Sequence, residues 1–358
     1  MKTIAGAGLA GLTAAINLAI NGENVTVLEK NGDVGEQIKE NAQMLPNWLS
    51  KNDDIIGDLE KCNVKINPVG AIYAIKIFIN GNKAAISSRR PMGFTVLRGG
   101  RRSLEYYIKR QAERNGVKFE FKRVGPRNAD IIATGKAKPN AVIYGQVFEG
   151  DFDHNTAKVF IDLANAPNGY GYLYPHDRKR ASLVIARTTY HNTNLKQGLE
   201  NMIAKQEENL GELNGAERLY DFGGSSNFFL TKSAIKHGSL HVGESAGFQD
   251  PLFGFGMRYA ISSGYLAALS LIKHVDYDVL WRREFLKEFN ALLSVRKSLY
   301  SDIPTFGRLL SGHDIDVKDV GLLRSSLFSH GALKIALSKR LIKFAFARPK
   351  TKSHTKTR

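Results

Sequence analysis

The residues in this sequence that are best suited to chemistry lie in a glycine-rich turn near the amino end. Gly6, Gly8 and Gly11 follow the G-x-G-x-x-G spacing, and Glu29 lies 18 residues after the last of them. In such a turn the first glycine allows a tight bend, the second lets backbone amides approach a pyrophosphate, and the third allows close packing of a helix. A carboxylate at Glu29 can accept both hydroxyls of an adenosine ribose. The spacing therefore predicts a dinucleotide site.

A second glycine-rich run lies more than 200 residues further along the chain. Residues 240–256 contain four glycines and Pro251, and they lead into a helix predicted from Met257 to His274. Two distant glycine elements indicate a long, folded cofactor, which favours FAD over NAD. Glu244 is suited to bind a ribityl hydroxyl, and the helix that starts near Gly256 would direct its positive end at the pyrimidine edge of a flavin.

These motifs need secondary structure that positions them. Residues 3–8 read as an apolar strand that enters the turn, 9–21 as a helix and 25–29 as a second strand, and the crossover helix makes the two strands parallel. Strand, helix, strand and acid together favour a bound dinucleotide over a structural glycine turn. The polar stretch that follows, to about Asn47, reads as loop and short helix.

Later segments indicate a second sheet. A hairpin is expected from strands 71–79 and 83–87, because Asn80-Gly81 tolerates the positive φ angles of a tight turn. Alternating strands with one helix, about 195–210, occupy 142–229, and the chain after the 257–274 helix reads as helical.

The predicted fold class is α/β, with a Rossmann-type FAD-binding domain, an inserted mixed or antiparallel β-sheet substrate domain and a C-terminal helical segment. The FAD-binding domain is assigned to 1–67, 91–136 and 231–290. The substrate domain is assigned to 68–90 and 137–230, and the C-terminal segment with its basic tail to 291–358.

Several of these motifs resemble one known family. The run from Gly243 to Ala268 is similar to the G-D-A-A-G…P…G-x-G…A…S-G-x-x-A-A segment of the geranylgeranyl reductase flavoproteins, within the para-hydroxybenzoate hydroxylase class, with Glu244 in place of Asp. Residues 131–135 resemble the A-T-G strand that touches FAD, and Arg98 lies where the family has an arginine near the flavin. Residues 170–175 resemble its Y-x-W-x-F-P segment. The likeness spans about residues 1–290.

The resemblance implies an FAD enzyme that saturates carbon–carbon double bonds in isoprenoid chains. Two departures concern the substrate: the family's P-x-x-C-G segment has no match in 35–40, and the segment between Arg98 and Gly135 is short. Motifs and resemblance together predict cofactor contacts at Gly6, Gly8, Leu9, Ala10, Gly11, Glu29, Lys30, Arg98, Thr134, Gly135, Gly243, Glu244, Gly247, Pro251, Gly254, Phe255, Gly256 and Met257.

Reduction of an alkene needs a hydride, which a flavin delivers, and a proton from a nearby acid or water. Tyr172, Tyr174 and His176 are the predicted proton-donor or pocket-lining residues, because they lie in the segment expected to face the flavin. The simpler alternative for each is packing of a strand. Phe248, Phe253 and Phe255 are suited either to an apolar tunnel or to the core, and no metal ligands are predicted.

Charge and cysteine content limit the other classes. The net charge is +17, and residues 320–358 contain ten Lys and Arg but no Asp or Glu. Apolar residues at helical spacing in 333–345 predict a basic helix that contacts an anionic membrane, docks on the protein's own core or attracts nucleic acid, although no RNA-binding pattern occurs elsewhere. The single Cys62 excludes an intramolecular disulfide and fits a reducing compartment. The predicted location is cytoplasmic, with peripheral contact on the inner face of the membrane.

The sequence leaves two other functions open. An aromatic-type monooxygenase would use the same cofactor, and a nonredox isoprenoid-modifying protein would keep FAD as a structural group. The sequence has no second G-x-G-x-x-G, so the electrons are expected from transiently bound NAD(P)H or another donor.

Overall fold

The structure is a computed structural model that describes residues 1–52, 54–135, 138–227, 231–312 and 314–317. The predicted basic tail helix lies outside these residues. The strands are β1 (Lys2–Ala5), β2 (Val25–Glu29), β3 (Asn41–Pro46), β4 (Gly70–Ile72), β5 (Ala74–Ile79), β6 (Asn82–Ser88), β7 (Gly93–Arg98), β8 (Lys118–Phe121), β9 (Ile131–Ile132), β10 (Ala141–Glu149), β11 (Thr156–Ile161), β12 (Tyr170–Pro175), β13 (Arg180–Thr188), β14 (Glu217–Ser226), β15 (Ile235–Lys236), β16 (Ser239–His241) and β17 (Asp314–Val317). The α-helices are α1 (Leu9–Ile20), α2 (Ile55–Glu60), α3 (Leu104–Arg114), α4 (Leu195–Lys205), α5 (Met257–Lys273), α6 (Tyr277–Trp281), α7 (Lys287–Ser301) and α8 (Ile303–Leu310). No helix in the described part of the chain is long and apolar enough to cross a bilayer.

The cofactor motifs lie on a sheet with the strand order β15-β16-β9-β1-β2-β8. β1 pairs in parallel with both β2 and β9, and β16 pairs in parallel with β9, so the predicted βαβ opening is confirmed. The crossover helix α1 is apolar around nearly its whole circumference and is buried from Leu9 to Leu18. A helix with this pattern must be covered on both sides, and here the sheet and α5 cover it.

Close contact between α1 and α5 depends on Gly264. A Cβ atom at this position would lie 2.2 Å from the Ala10 carbonyl oxygen, which belongs to the α1 backbone. Because that oxygen is part of a helix, it cannot move aside as a flexible side chain would. The two helices, and with them the two glycine motifs, therefore meet only because residue 264 has no side chain.

We expect Gly264→Ala to destabilise the protein by about 2 kcal/mol through this overlap. The measurement is urea unfolding followed by circular dichroism. Gly57→Ala in α2 is the matched control, because a Cβ at Gly57 meets no atom within 4 Å. That substitution should instead stabilise the helix by about 0.5–1 kcal/mol. Equal stability changes in the two variants would show that α1 and α5 do not touch at this point.

A smaller sheet has the strand order β3-β7-β4, and one sequence prediction is wrong here. The stretch expected to be loop and short helix contains β3, which pairs antiparallel with β7 from Asn41 to Pro46. All of β3 except Gln43 is buried. A strand covered on both faces does not alternate between apolar and polar residues, so its sequence lacks the usual strand pattern.

The third sheet has the order β14-β10-β13-β12-β11-β5-β6-β17 and mixes antiparallel with parallel pairs. The hairpin β5–β6 turns at Asn80 and Gly81, whose φ angles of 48° and 79° confirm the predicted turn. α4 packs on this sheet but ends at Lys205, earlier than predicted, and a 3-10 segment follows over Glu207–Leu213.

The sequence predicted that the chain after α5 is entirely helical, and this prediction is wrong at its end, where a strand follows the helices. α6 and α7 are joined through one wide π turn, Arg282–Leu286, and α8 follows after Asp302. β17 then pairs in parallel with β6 at the edge of the large sheet, and Ile315 and Val317 are buried. The alternating Asp-Ile-Asp-Val sequence was the signal for this edge strand. The division into domains stays a prediction, although α8 and β17 both contact the large sheet.

Candidate active site

The two glycine motifs meet at one edge of the parallel sheet. β1, β9 and β16 end side by side, with Ala5 opposite Ile132 and Ile132 opposite His241. The segments that leave these strands therefore share one edge, which is where parallel α/β sheets bind ligands. A Cβ atom at Gly243 would lie 3.2 Å from the Ala10 Cβ atom, so the two glycine motifs are in contact.

The three glycines of the first turn differ in what a side chain at each position would meet. Gly6 has a φ of 101°, and a Cβ there would lie 2.4 Å from the Ala133 carbonyl oxygen. At Gly11 a Cβ would lie 2.1 Å from the Gly6 carbonyl oxygen, so this residue allows α1 to pack on the turn. At Gly8 a Cβ would meet no atom within 4 Å. Gly8 thus borders open space at the start of α1, as a pyrophosphate site requires.

The two helices that begin at the glycine motifs lack the side-chain caps found elsewhere. α1 begins after Gly8 and α5 after Gly256, and neither has a side chain that accepts its first amides. α2, α3, α4, α6 and α8 are capped by Asp54, Ser103, Asn194, Asp276 and Asp302. Uncapped amides need another acceptor, and phosphate groups or an electron-rich ring edge supply one. The residues present therefore fit FAD.

Glu29 is buried at the end of β2 and already has partners. Its Oε2 accepts the Ala7 N–H at 2.9 Å, and its Oε1 accepts the backbone and side-chain N–H groups of Asn31 at 3.0 and 2.7 Å. A carboxylate offers about four acceptor positions, so one remains on Oε2 for a ribose hydroxyl. Lys30 is exposed beside it.

Arg98 lies at the end of β7 and binds two partners that the sequence did not indicate. Its Nε donates to Glu105 Oε1 at 2.5 Å, and its Nη1 donates to Gln43 Oε1 at 2.6 Å. Glu105 is 1% exposed, and its second oxygen has no partner among the described residues. The guanidinium therefore compensates a buried carboxylate, and any contact of Arg98 with the cofactor stays a prediction.

Residues 249–256, hereafter the 249–256 loop, lead into α5 and are fixed by hydrogen bonds among themselves. Asp250 Oδ1 accepts the Leu252 N–H at 2.7 Å, and the Gly254 N–H donates to the Asp250 carbonyl at 2.9 Å. Gln249 Nε2 donates to the Gly254 carbonyl at 2.5 Å. Asp250 is fully buried, and desolvation raises its pKa to about 7. Gly254 has a φ of 79°, which suits glycine best.

The remaining predicted cofactor residues lie around this loop. Glu244 is half-buried, and its carbonyl accepts the Gly247 N–H at 3.0 Å. Met257 is buried in the first turn of α5, and Phe255 packs edge-on against Trp48 with ring centroids 5.8 Å apart. The structure therefore brings Gly243 against the first turn, whereas the contacts of the predicted residues of 243–257 with FAD stay predictions.

A buried polar cluster behind the start of α5 was missed from the sequence. Arg258 and Tyr259 both donate to Oε1 of Glu288 on α7, and all three side chains are buried. A cation in the first turn of a helix is unfavourable unless it is paired, because the helix dipole is positive there. An arginine at the second residue of the predicted helix was therefore the sequence feature that indicated a buried acidic partner in another part of the chain.

The three tyrosines of β12 differ in what their hydroxyls do. The Tyr170 hydroxyl donates to the Phe253 carbonyl at 2.5 Å, and the Tyr174 hydroxyl bonds to Thr95 Oγ1 at 2.9 Å. Tyr172 is half-buried, and within the described residues its hydroxyl has no hydrogen-bond partner. Burial raises the pKa of Tyr172 and of Tyr174, so both keep their protons at neutral pH.

Apolar side chains cover the face of the large sheet beside the three tyrosines of β12, hereafter the β12 row. Tyr174 and Ile75 form a buried cluster with Trp48 and with residues of the small sheet, among them Ile72. Its half-buried members are Ile77, Ile86, Val159, Tyr172 and Phe255. Of the three phenylalanines considered for a tunnel, Phe248 packs in the core against Trp281, Phe285 and Phe289, so it does not line this face.

His176 links β12 to the small sheet. Its Nε2 accepts the Ala42 N–H at 3.2 Å and lies 2.7 Å from Ser182 Oγ. Burial lowers its pKa to about 4, so the ring is neutral at neutral pH. Because Nε2 accepts from the backbone, the ring is better placed to join the two sheets than to give up a proton.

This arrangement predicts a pH-dependent stability that His176→Gln should remove. The folded-state pKa of about 4 lies below the value of 6.5 expected for an unperturbed histidine, so the unfolded chain takes up the proton first as the pH falls. Wild-type protein should therefore lose up to about 3 kcal/mol relative to the glutamine variant between pH 7 and pH 4. Urea unfolding of both proteins at several pH values measures the difference. A difference that stays constant over this range would contradict the buried, neutral ring.

Comparisons with known proteins agree with this geometry. Residues 3–130 match the family model described as FAD dependent oxidoreductase. The chain is 24% identical over 342 residues to digeranylgeranylglycerophospholipid reductase 1 of Methanothermobacter thermautotrophicus, covering 83% of this chain and 85% of the relative. A geranylgeranyl bacteriochlorophyll reductase-like structure from Thermoplasma acidophilum superposes with a TM-score of 0.70 at 18% identity, covering 96% of this chain and 97% of the other.

A flavoprotein/dehydrogenase structure from Cytophaga hutchinsonii has a TM-score of 0.62 at 14% identity, covering 92% of each chain. These likenesses confirm the predicted α/β fold class and the resemblance seen in the motifs.

Proposed function

We propose that this chain, an FAD-dependent oxidoreductase similar to the geranylgeranyl reductases, saturates carbon–carbon double bonds in isoprenoid chains of lipids. The observation that carries the proposal is the half-buried apolar face of Ile77, Ile86, Val159 and Tyr172, which packs on the same buried cluster as Phe255 of the 249–256 loop. A polyprenyl chain offers only apolar surface, and a face of this kind would bind it by excluding water. The curated relative is named for a reductase of such lipids.

The uncapped ends of α1 and α5 would hold the two halves of FAD. α1 and Gly8 would bind the pyrophosphate, Glu29 the ribose, and the first turn of α5 the flavin ring. When bound, the flavin supplies the hydride that an alkene needs. NAD(P)H or another reductant would supply the electrons.

Tyr172 is proposed as the proton donor at its phenolic oxygen. Its raised pKa keeps the proton in place, and its hydroxyl is the one in the β12 row without a hydrogen-bond partner in the described structure. Tyr174 and His176, which have partners, would shape the apolar face and attach it to the small sheet.

We expect Tyr172→Phe to lower the rate of alkene reduction about 100-fold, since a positioned acid contributes at least this much. FAD affinity should stay unchanged, because the substitution removes one hydroxyl from the apolar face. Stopped-flow measurement of flavin reoxidation by the lipid gives the rate. Tyr174→Phe is the matched control and should change it far less. If wild-type protein and Tyr172→Phe have the same rate, Tyr172 is not the proton donor, and bound water would have to supply the proton.

The membrane contact is proposed for the basic segment 320–358, whose charge would attract anionic headgroups near the lipid substrate. Sedimentation with vesicles with and without anionic lipid tests it. Binding that is the same to both kinds of vesicle would argue against an electrostatic contact.

The activity itself is tested with purified protein that has been reduced without oxygen and mixed with a geranylgeranyl glycerophospholipid. Mass spectrometry should find product that has gained two hydrogens per saturated bond. A hydroxylated product that forms only with oxygen would instead identify a monooxygenase, and turnover with a flavin that cannot be reduced would identify a nonredox enzyme.

A further inference from the structure

We propose that Arg296 on α7 is a positioning residue that fixes the 249–256 loop against the turn leading into β12, and thereby sets how the substrate sheet meets the cofactor. The inference rests on the proposed function in one respect, namely that this loop and this sheet serve one reaction. Arg296 lies outside every motif that the sequence indicated.

The first half of the contact is made to the 249–256 loop. Arg296 Nη1 donates to two consecutive carbonyls, Pro251 at 3.1 Å and Leu252 at 3.2 Å. Neither carbonyl belongs to a helix or strand, so neither has a partner from regular secondary structure. The loop ends at the start of α5, so its position determines what surrounds the uncapped amides of that helix.

The second half is made to the large sheet. Arg296 Nη2 donates to the Asn168 carbonyl at 2.5 Å, in the turn between β11 and β12. This turn is itself tightly placed, because Asn168 has a φ of 52° and a Cβ at Gly169 would lie 1.9 Å from the Ala186 carbonyl oxygen. One guanidinium therefore joins the loop to a turn that cannot shift freely.

Two tyrosines support the same contact between the 249–256 loop and the turn before β12, hereafter called the junction. The Arg296 guanidinium stacks over the Tyr300 ring at 4.7 Å, and the Tyr300 hydroxyl donates to the Gly169 carbonyl at 3.2 Å. From the other side, the Tyr170 hydroxyl donates to the Phe253 carbonyl at 2.5 Å. Tyr170 is two residues before Tyr172 on the same face of β12, so the junction lies directly beside the proposed proton donor.

Apolar packing already attaches α7 to the loop, which separates positioning from simple stability. Leu252, Leu292 and Leu299 form a buried cluster of their own. Such contacts are not directional, whereas a planar guanidinium with fixed donors imposes one geometry on the carbonyls that it binds. Arg296 is therefore suited to set orientation beyond what the leucines supply.

The experiment compares Arg296→Gln and Arg296→Lys with wild-type protein, and Lys297→Gln, an exposed neighbour on α7, is the matched control. FAD affinity is measured by quenching of flavin fluorescence, and the visible absorption spectrum of the bound flavin reports its surroundings. We expect Arg296→Gln to weaken FAD binding at least 10-fold and to alter the spectrum. Arg296→Lys should recover part of both, because one ammonium can reach only some of the three carbonyls. At saturating FAD, kcat for the lipid should fall at least 10-fold and KM less than 3-fold.

Several outcomes would overturn the assignment. The assignment is wrong if Arg296→Gln has the same FAD affinity, absorption spectrum and kcat as Lys297→Gln. It is also wrong if Arg296→Gln loses thermal stability but keeps the flavin affinity and spectrum of wild-type protein. If Arg296→Gln does not fold, Tyr300→Phe removes a single hydroxyl from the junction and should still alter the spectrum and kcat. The affinity and spectral measurements need no lipid, so they judge Arg296 even if wild-type protein fails to reduce an isoprenoid, a failure that would count against the proposed function alone.

Discussion

Gly8→Val is expected to abolish FAD binding while the protein still folds. Gly8 has a φ of −77° and a ψ of 176°, which valine adopts readily, and a Cβ there meets no protein atom within 4 Å. The side chain would instead fill the space at the start of α1 that the pyrophosphate needs. We expect FAD affinity to fall at least about 1000-fold, or about 4 kcal/mol, and the free energy of unfolding without FAD to change by less than about 1 kcal/mol.

The measurements for this variant are fluorescence titration with FAD and urea unfolding of the cofactor-free protein. Gly211→Val is the matched control, because Gly211 also borders open space but lies in the 3-10 segment Glu207–Leu213 that follows α4. It should leave FAD binding unchanged. If Gly8→Val still binds FAD, the pyrophosphate does not bind at this turn. A variant that does not fold would show that Gly8 has a packing role.

Glu288→Ala is expected to destabilise the protein by about 4 kcal/mol, because it leaves Arg258 charged, buried and unpaired. Arg258 and Tyr259 both lose their acceptor, so the first turn of α5 should also shift. We therefore expect weaker FAD binding in addition to the lower stability. Urea unfolding measures the first effect and fluorescence titration the second.

Glu284→Ala provides the comparison on the same continuous helical segment. Glu284 pairs with Lys51 at 2.5 Å, but both side chains are about one-third exposed. A pair in this environment contributes at most about 1 kcal/mol, so its loss should be small. A similar loss of unfolding free energy in the two variants would mean that water reaches the Arg258–Glu288 pair, so that the pair is not buried.

The cofactor fold could be predicted from short-range patterns. The apolar strand before Gly6, the helix from Leu9 and the strand that ends at Glu29 each carry their signal within a few residues, and the structure confirms all three. The hairpin at Asn80-Gly81 was also predictable, because its turn depends on two adjacent residues. Such elements form wherever the local pattern is unambiguous.

The pairings across the site could not be predicted, because each joins residues that are distant in sequence. Arg98 has an acid, Glu105, seven residues away, but Tyr174 bonds to Thr95 across 79 residues and Arg296 to Asn168 across 128. Nothing in the local sequence selects these partners, since tertiary packing brings them together. β3 was missed for a related reason: burial on both faces removes the alternation that marks a strand.

The central claim is that the turn at Gly8 and the start of α5 bind one FAD molecule together. The most direct test is titration of cofactor-free protein with FAD, followed by displacement with ADP, which contains only the part expected at α1. We predict uptake of one FAD per chain, competition by ADP, and loss of both ligands in Gly8→Val. A protein that takes up no FAD, or that binds FAD without any competition from ADP, would contradict the account.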